Sequence, residues 1–389
     1  MVPAALVRAD DWPQWRGPQG NGVSQESIAA AGGGLKILWR QNVGTGYAPA
    51  SVRDGRLYTM GWKDDQDVVS AFNADKGEPL WTHTYSCEQH NNMHEGGPAA
   101  APAADEQRVY TLSRAGDLYC LNSTDGRVVW SKQLRDEFGL KLPDWSFSGS
   151  PVLLGKVLLV ELGRVFAFQK ETGELIWKTD DYGASYSTPQ PFKLNGRQFL
   201  AAFPKPGLVV LDASTGDELA AHEWRTKYDV NAATPIVHGD RVFISSGYNR
   251  GCAMLRLHGD GIDVVWEGRQ MRNQMATSVL IDGHLYGFDE SRLKCVDADG
   301  GGVLWKERAF KIGTKKHGFG KGTLVAADGA LVVLSADGEL LIAPASPDGF
   351  NPAAQIEAFD TTNCWTMPVV ANGRIYCRSA DGQLVCVGW

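Results

Sequence analysis

The segment QHNNMHEGG, residues 89–97, places His90 and His94 four residues apart with Glu95 directly after them. Imidazole and carboxylate are the groups of zinc sites and of general acid–base catalysis. The spacing argues against a metal. Four residues bring two imidazoles to one face only in a helix, and a segment with Asn-Asn and Gly-Gly reads as a loop at the molecular surface. The chain has no HExxH and no evident third ligand. It also lacks GxSxG, the GxxxxGK phosphate loop and a GxGxxG between strand and helix. Most other carboxylates stand in turns such as STDG and SADG, where the Asp side chain supports the turn itself.

Polar and aromatic residues gather instead just before a set of strand starts. Pro49, Pro102, Pro151, Pro189, Pro235 and Pro368 mark many of those starts. Immediately upstream of them, or at the equivalent places, lie His94 and Glu95, then Asp144, Trp145 and Ser148, then Tyr186. Asn231 follows, then Arg272 with Asn273, Lys321 and Trp365. If the strands line a channel, these residues ring its mouth. A concave mouth with aromatic walls and a few cationic and amide groups is a candidate ligand or partner face. A solvated rim with tryptophans capping the core is the plainer reading of the same residues.

The elements that would hold this ring are repeats. QKETGELIW at 169–177 has close relatives in NADKGEPLW at 73–81, NSTDGRVVW at 122–130 and DADGGGVLW at 297–305. Trp39, Trp81, Trp130, Trp177, Trp224, Trp266 and Trp305 recur at spacings of 39 to 49 residues. Such a period signals a repeat architecture. Within one period, as in 235–266, four short apolar or alternating runs are separated by Gly, Asp and Asn turns, without helical periodicity. Four strands per period is the pattern of a β-propeller. Eight third strands can be read off, beginning near residues 68, 118, 164, 208, 252, 292, 339 and 383. The glycine permits the positive φ of the turn into the outer strand. The tryptophan is expected to dock between neighbouring blades. The last repeat runs out after its third strand, and KILWRQNV at 36–43 is an outer strand with no strands before it. The N-terminal strand should therefore complete the C-terminal blade and close the ring, leaving no open edge. The expected architecture is all-β, with eight four-stranded antiparallel blades over 35–389, an N-terminal segment at 10–34, and residues 1–9 ahead of it.

The chain has 389 residues, 43% hydrophobic and 21% charged, with a net charge of −7 and no long Lys/Arg run. That argues against nucleic acid and anionic membrane as partners. No apolar stretch approaches the roughly 20 residues of a membrane-spanning helix. Val7-Arg8-Ala9 fits the end of a signal peptide, of which 1–9 would be the remnant in a periplasmic or secreted protein; an ordinary disordered N-terminus is the alternative reading. Seven cysteines, an odd number without CxxC, leave at least one unpaired. Cys120, Cys295 and Cys386 occupy similar repeat positions and read as small core residues.

The tryptophan-turn repeats resemble those of pyrroloquinoline quinone (PQQ)-like eight-bladed propellers over about 35–389. The opening DDWPQWRGPQGNGVSQE at 10–26 is similar to that of secreted bacterial PQQ-like repeat proteins, as are KLPDWSFSGSP, MRNQMATSV and GKGTLVAADGAL. The resemblance implies one of two functions. One is a binding propeller that presents its mouth to a protein, peptide or glycan; the propeller lipoprotein of the outer-membrane barrel-assembly machinery is a member of that kind. The other is a quinoprotein dehydrogenase of alcohols or sugars holding PQQ and Ca²⁺. For that role Arg272 and Lys321 would meet cofactor carboxylates, Trp145 and Trp365 its ring, and Asn231 and Asn273 would supply oxygen ligands to Ca²⁺. Glu95, Asp144 and Asp229 would be the candidate bases. The vicinal cysteine pair of many such dehydrogenases is missing here and the blades are nearly minimal, which favours the binding propeller.

Overall fold

A computed structural model describes residues 11–28, 34–259, 261–312 and 315–389. The segment read as a signal remnant, 1–9, lies outside them. Eight four-stranded antiparallel blades form the ring, one of them extended by a short N-terminal strand. Blade 1 is built from Ser51–Arg53, Arg56–Lys63, Gln66–Asn73 and Pro79–Ser86. Blades 2 to 7 follow at 103–133, 152–178, 190–223, 236–268, 279–307 and 323–357. Blade 8 takes its three inner strands from 369–388 and its outermost strand from Lys36–Asn42. Lys36 pairs with Gly388 and Asn42 with Gln383, as the closure argument requires. All eight third strands fall where the repeat places them. One five-residue helix, Leu134–Phe138, leaves blade 2 and was not anticipated.

The docking motif works through a specific contact. Trp39 packs over Gly77 of the next blade, Trp81 over Gly126, Trp130 over Gly173, Trp177 over Gly216 and Trp266 over Gly301. A Cβ at Gly126 would lie 2.5 Å from the Trp81 ring, so the glycine provides room as well as its φ of +72°. The indole N–H groups of Trp39, Trp81, Trp130 and Trp266 donate to backbone carbonyls in the same turns, at 3.0–3.1 Å. Trp305 instead donates to the Ser346 carbonyl at 2.8 Å and packs on Phe350. Trp224 departs from the expectation. Ala220 stands four residues after Gly216, where the motif has its tryptophan. Trp224 is buried nearer the mouth, donates to Ser246 Oγ at 3.1 Å, and lies 3.4 Å from the Arg250 guanidinium. Blade 5 has no docking glycine to receive an indole, because His258 pairs with Gly261 in a tight hairpin.

The N-terminal segment crosses the channel end opposite the mouth and touches all eight blades. Trp12 bridges to Val52, the Pro13 carbonyl accepts from Ala104 N–H, and Gln14 Oε1 accepts from Leu153 N–H. Trp15 donates to Thr234 Oγ1, Arg16 to the Ser278 carbonyl, and the Gln19 carbonyl accepts from Gln190. Val23–Ser24 adds a parallel strand to blade 7, and the Glu26 carboxylate accepts from the Asn372 and Gly373 N–H groups of blade 8. Trp12 and Arg16 are each 1% exposed. All seven cysteines are free and buried. Burial pushes the Cys120 thiol up to about 12, as expected of inert core thiols.

Candidate functional site

Loops joining each outer strand to the next blade's inner strand gather at the mouth. They enclose a basin of about 300 Å³. Tyr47 and Trp365 stack in it, ring centroids 5.5 Å apart and planes 13° from parallel. His94 meets both edge-on, and burial lowers its pKa. Opposite, Trp145 sits edge-on to Tyr186 at 5.9 Å. Ser148 Oγ donates to the Tyr186 carbonyl at 3.2 Å. Lys321 holds its ammonium 5.8 Å from the Trp365 ring. Three methionines line the basin: Met93, Met275 and Met367. Met93 is 87% exposed. Trp15, from the N-terminal segment, is part of the lining, so that segment contributes to the basin's floor.

The other ring residues play different parts. Glu95 accepts hydrogen bonds from the Tyr47 hydroxyl and from Asn363 Nδ2, the latter at 2.8 Å. Burial pushes its carboxyl up, but these donors outweigh that and hold it below the ordinary range. Burial and the Glu95 contact raise the Tyr47 phenol. Asp144 is exposed; its carbonyl accepts from Asn92 and contacts His90 Nε2, pinning the 89–97 loop to its neighbour. Asn231 is fully buried, with Nδ2 donating to the Pro204 carbonyl and Oδ1 accepting from Ser246. Asn273 likewise donates to the Phe288 carbonyl and accepts from Ser278. Both amides fasten loops to strands and neither lines the basin. Arg272 turns outward into a bidentate pair with Asp289, at 2.5 and 3.0 Å. Asp229 pairs with Lys205 at 2.7 Å. No group of three His, Cys, Asp or Glu side chains that could hold a metal is found among the described residues.

Tyr47, Tyr248 and the methionines were not singled out from the sequence. Met93, Ser146, Asp229, Tyr248 and Asn363 all adopt positive φ in these loops. A bulky aromatic such as Tyr248 rarely takes that conformation, and residues held in it cluster at binding sites.

The PQQ_2 family model, described as outer membrane protein assembly factor BamB, matches residues 64–292 and 289–387. The chain belongs to this family. Its relatives include outer membrane protein assembly factor BamB of Escherichia coli (strain K12), 24% identical over 76% of this chain and 85% of that protein. BamB from Moraxella catarrhalis shares the fold, with a TM-score of 0.64 at 17% identity, covering 91% of this chain and 98% of that one. Quinohemoprotein alcohol dehydrogenase from Comamonas testosteroni does so as well, with a TM-score of 0.66 at 14% identity, covering 97% and 80%. One ring fold is therefore shared by an assembly factor and a dehydrogenase.

The basin's donors can be tested against PQQ and Ca²⁺. Trp365 and Tyr47 offer a platform for a flat ring. Three cofactor carboxylates call for cationic partners, and Lys321 is the one Lys or Arg in the lining. Arg378, behind Tyr47, is enclosed by the carbonyls of Gly44, Ala48 and Met60, and burial lowers it to about 9. Glu95 is committed to Tyr47 and Asn363. Ca²⁺ takes six to eight oxygen ligands, carboxylates prominent among them, and the lining contains no Asp or Glu. The residues present do not fit PQQ with Ca²⁺.

Proposed function

We propose that this member of the BamB-type family is a binding propeller that holds a partner polypeptide in its mouth basin, outside the cytoplasm, and performs no redox chemistry. The observation that carries this reading is the composition of the basin: stacked and edge-on aromatic rings beside methionines, with one lysine. Aromatic side chains give large contact area at low entropic cost, and methionine adapts to irregular apolar shapes. The assembly-factor relatives support it, as does the poor match to a tricarboxylate cofactor. The rigid ring holds the rings apart, and the N-terminal segment crosses the far end and contributes to the basin's floor.

The test uses a photo-crosslinking residue in place of Met93, in cells. A discrete polypeptide should be captured, and capture should fall at least about 10-fold with Trp365→Ala or Trp145→Ala, the scale of a loss above 1 kcal/mol at an interface. Unfolding midpoints of those variants should stay near the parent's. Capture indifferent to both substitutions would overturn the reading. So would PQQ binding, with Ca²⁺, tighter than about 1 μM by calorimetry.

A further inference from the structure

A second cleft lies beside the basin on the same face, where blade 6 meets the hairpin of Ala309–Ile312 and Lys315–Gly318. It encloses about 610 Å³. Seven Lys and Arg side chains line it against the carboxylates of Asp289 and Glu307. This concentration of positive charge stands on a chain whose net charge is −7.

Asp289 organises one wall. It is 0% exposed at its side chain and pairs with Arg272 at 2.5 Å and Lys294 at 2.7 Å, with Arg292 at 3.8 Å. Burial pushes its carboxyl up, but Arg272 and Lys294 outweigh that and hold it below the ordinary range. One buried carboxylate therefore fixes three cations in place; Glu290 also approaches Arg272, at 3.7 Å, and the three cations still outnumber the two carboxylates. Four more, Arg269, Lys306, Arg308 and Lys316, are exposed and make no ion pair among the described residues. Fixed cations that repel one another across a cleft favour a multivalent anion, and guanidinium forks suit carboxylates.

We propose that this cleft takes an acidic polypeptide segment, a run of Asp and Glu flanking the apolar residues that seat in the basin. The inference rests on the mouth-face reading and names the partner's chemistry. A polypeptide is favoured over other polyanions because the cleft is continuous in face with an apolar, methionine-bearing basin, and one segment carrying both kinds of side chain matches both.

The probe is a fluorescein-labelled oligo-glutamate peptide, followed by anisotropy with the full chain. It has no apolar side chains, so it reports on the cleft and leaves the basin to the Trp365 and Trp145 variants. Binding should weaken about 10-fold or more as salt rises from about 50 to about 300 mM, since the charges are solvent-exposed and screened. The Arg308→Glu, Lys316→Glu double variant should lose it by a similar factor, with an unchanged unfolding midpoint, while Trp365→Ala should leave it intact. Oligo-glutamate that does not bind, or binds the charge-reversed variant equally, would overturn the proposal. Binding of heparin or of phosphatidylglycerol vesicles in place of the peptide would overturn it too, by showing a different anion.

Discussion

Glu161 ends the second strand of blade 3, buried, with one oxygen accepting from the Gly163 N–H at 3.2 Å. Burial pushes its carboxyl up to about 8. An unfolded Glu titrates near about 4.3. The folded chain therefore keeps this proton where the unfolded chain has released it, and stability falls as pH rises from about 4 to about 8. Glu161→Gln preserves the acceptor and removes the titration. Its unfolding free energy from urea titration should match the parent's near pH 4 and exceed it at pH 8, by on the order of 4 kcal/mol. Parallel pH profiles would contradict this. At the same scale lie the ring residues chosen by position. A place just before a strand start brought Trp145, Tyr186 and Trp365 to the basin. It sent Asn231 and Asn273 into the core, because side-chain direction there depends on loop geometry that spacing does not encode. Arg272 was drawn outward by Asp289, a partner 17 residues away.

Between blades, the unit of adhesion is an indole on a glycine. Most docking tryptophans are preceded by a pair of apolar residues that remain exposed, such as Val128 and Val129 at 45% and 46%. The pairing register slips between Val128 and Trp130. This bulge twists the outer strand, so an exposed edge is a poor template for another chain. Two glycines separate the roles of room and dihedral. Gly126 and Gly55 both have φ of +72°, but a Cβ at Gly55 would meet nothing within 4 Å. Gly55→Ala should cost about 1–2 kcal/mol, the left-handed strain alone. Gly126→Ala should cost about 2–5 kcal/mol, strain plus displacement of Trp81. Equal losses by urea unfolding would deny the indole its part. Strand order and the docking glycines were legible because every repeat restates them. Trp224 misled because its spacing fits while its distance from Gly216 does not.

For the whole molecule, ring closure was legible from a missing strand and a surplus one. The N-terminal segment was not, since no repeat resembles it and its partners are spread over all eight blades. Arg16 is its anchor, donating to the carbonyls of Gly20, Asn21 and Ser278 from a fully buried position. Arg16→Ala should cost about 3 kcal/mol, from hydrogen bonds to a charged donor lost inside the protein. It should also raise amide exchange at Val52, Leu153 and Ala326, whose strands the segment contacts. Unchanged exchange there would show that the ring does not depend on this segment.

The strand Lys36–Asn42 finds its partner in Gln383–Gly388, almost a full chain length later. During synthesis this early strand must wait, unpaired, while blades 1 to 7 form beside it. Pairing across so great a separation is slow, and an unpaired strand is a site for wrong association. Trp39 shares the delay, since its outer strand is not fixed until the last residues arrive. The same seam that makes the finished ring edgeless makes it the final step of assembly. A circular permutant beginning at residue 369, with 389 joined by a linker to 34, would turn that last step into a local hairpin. It should refold faster than a linear chain of residues 34–389, which likewise lacks the Trp15 contribution to the basin.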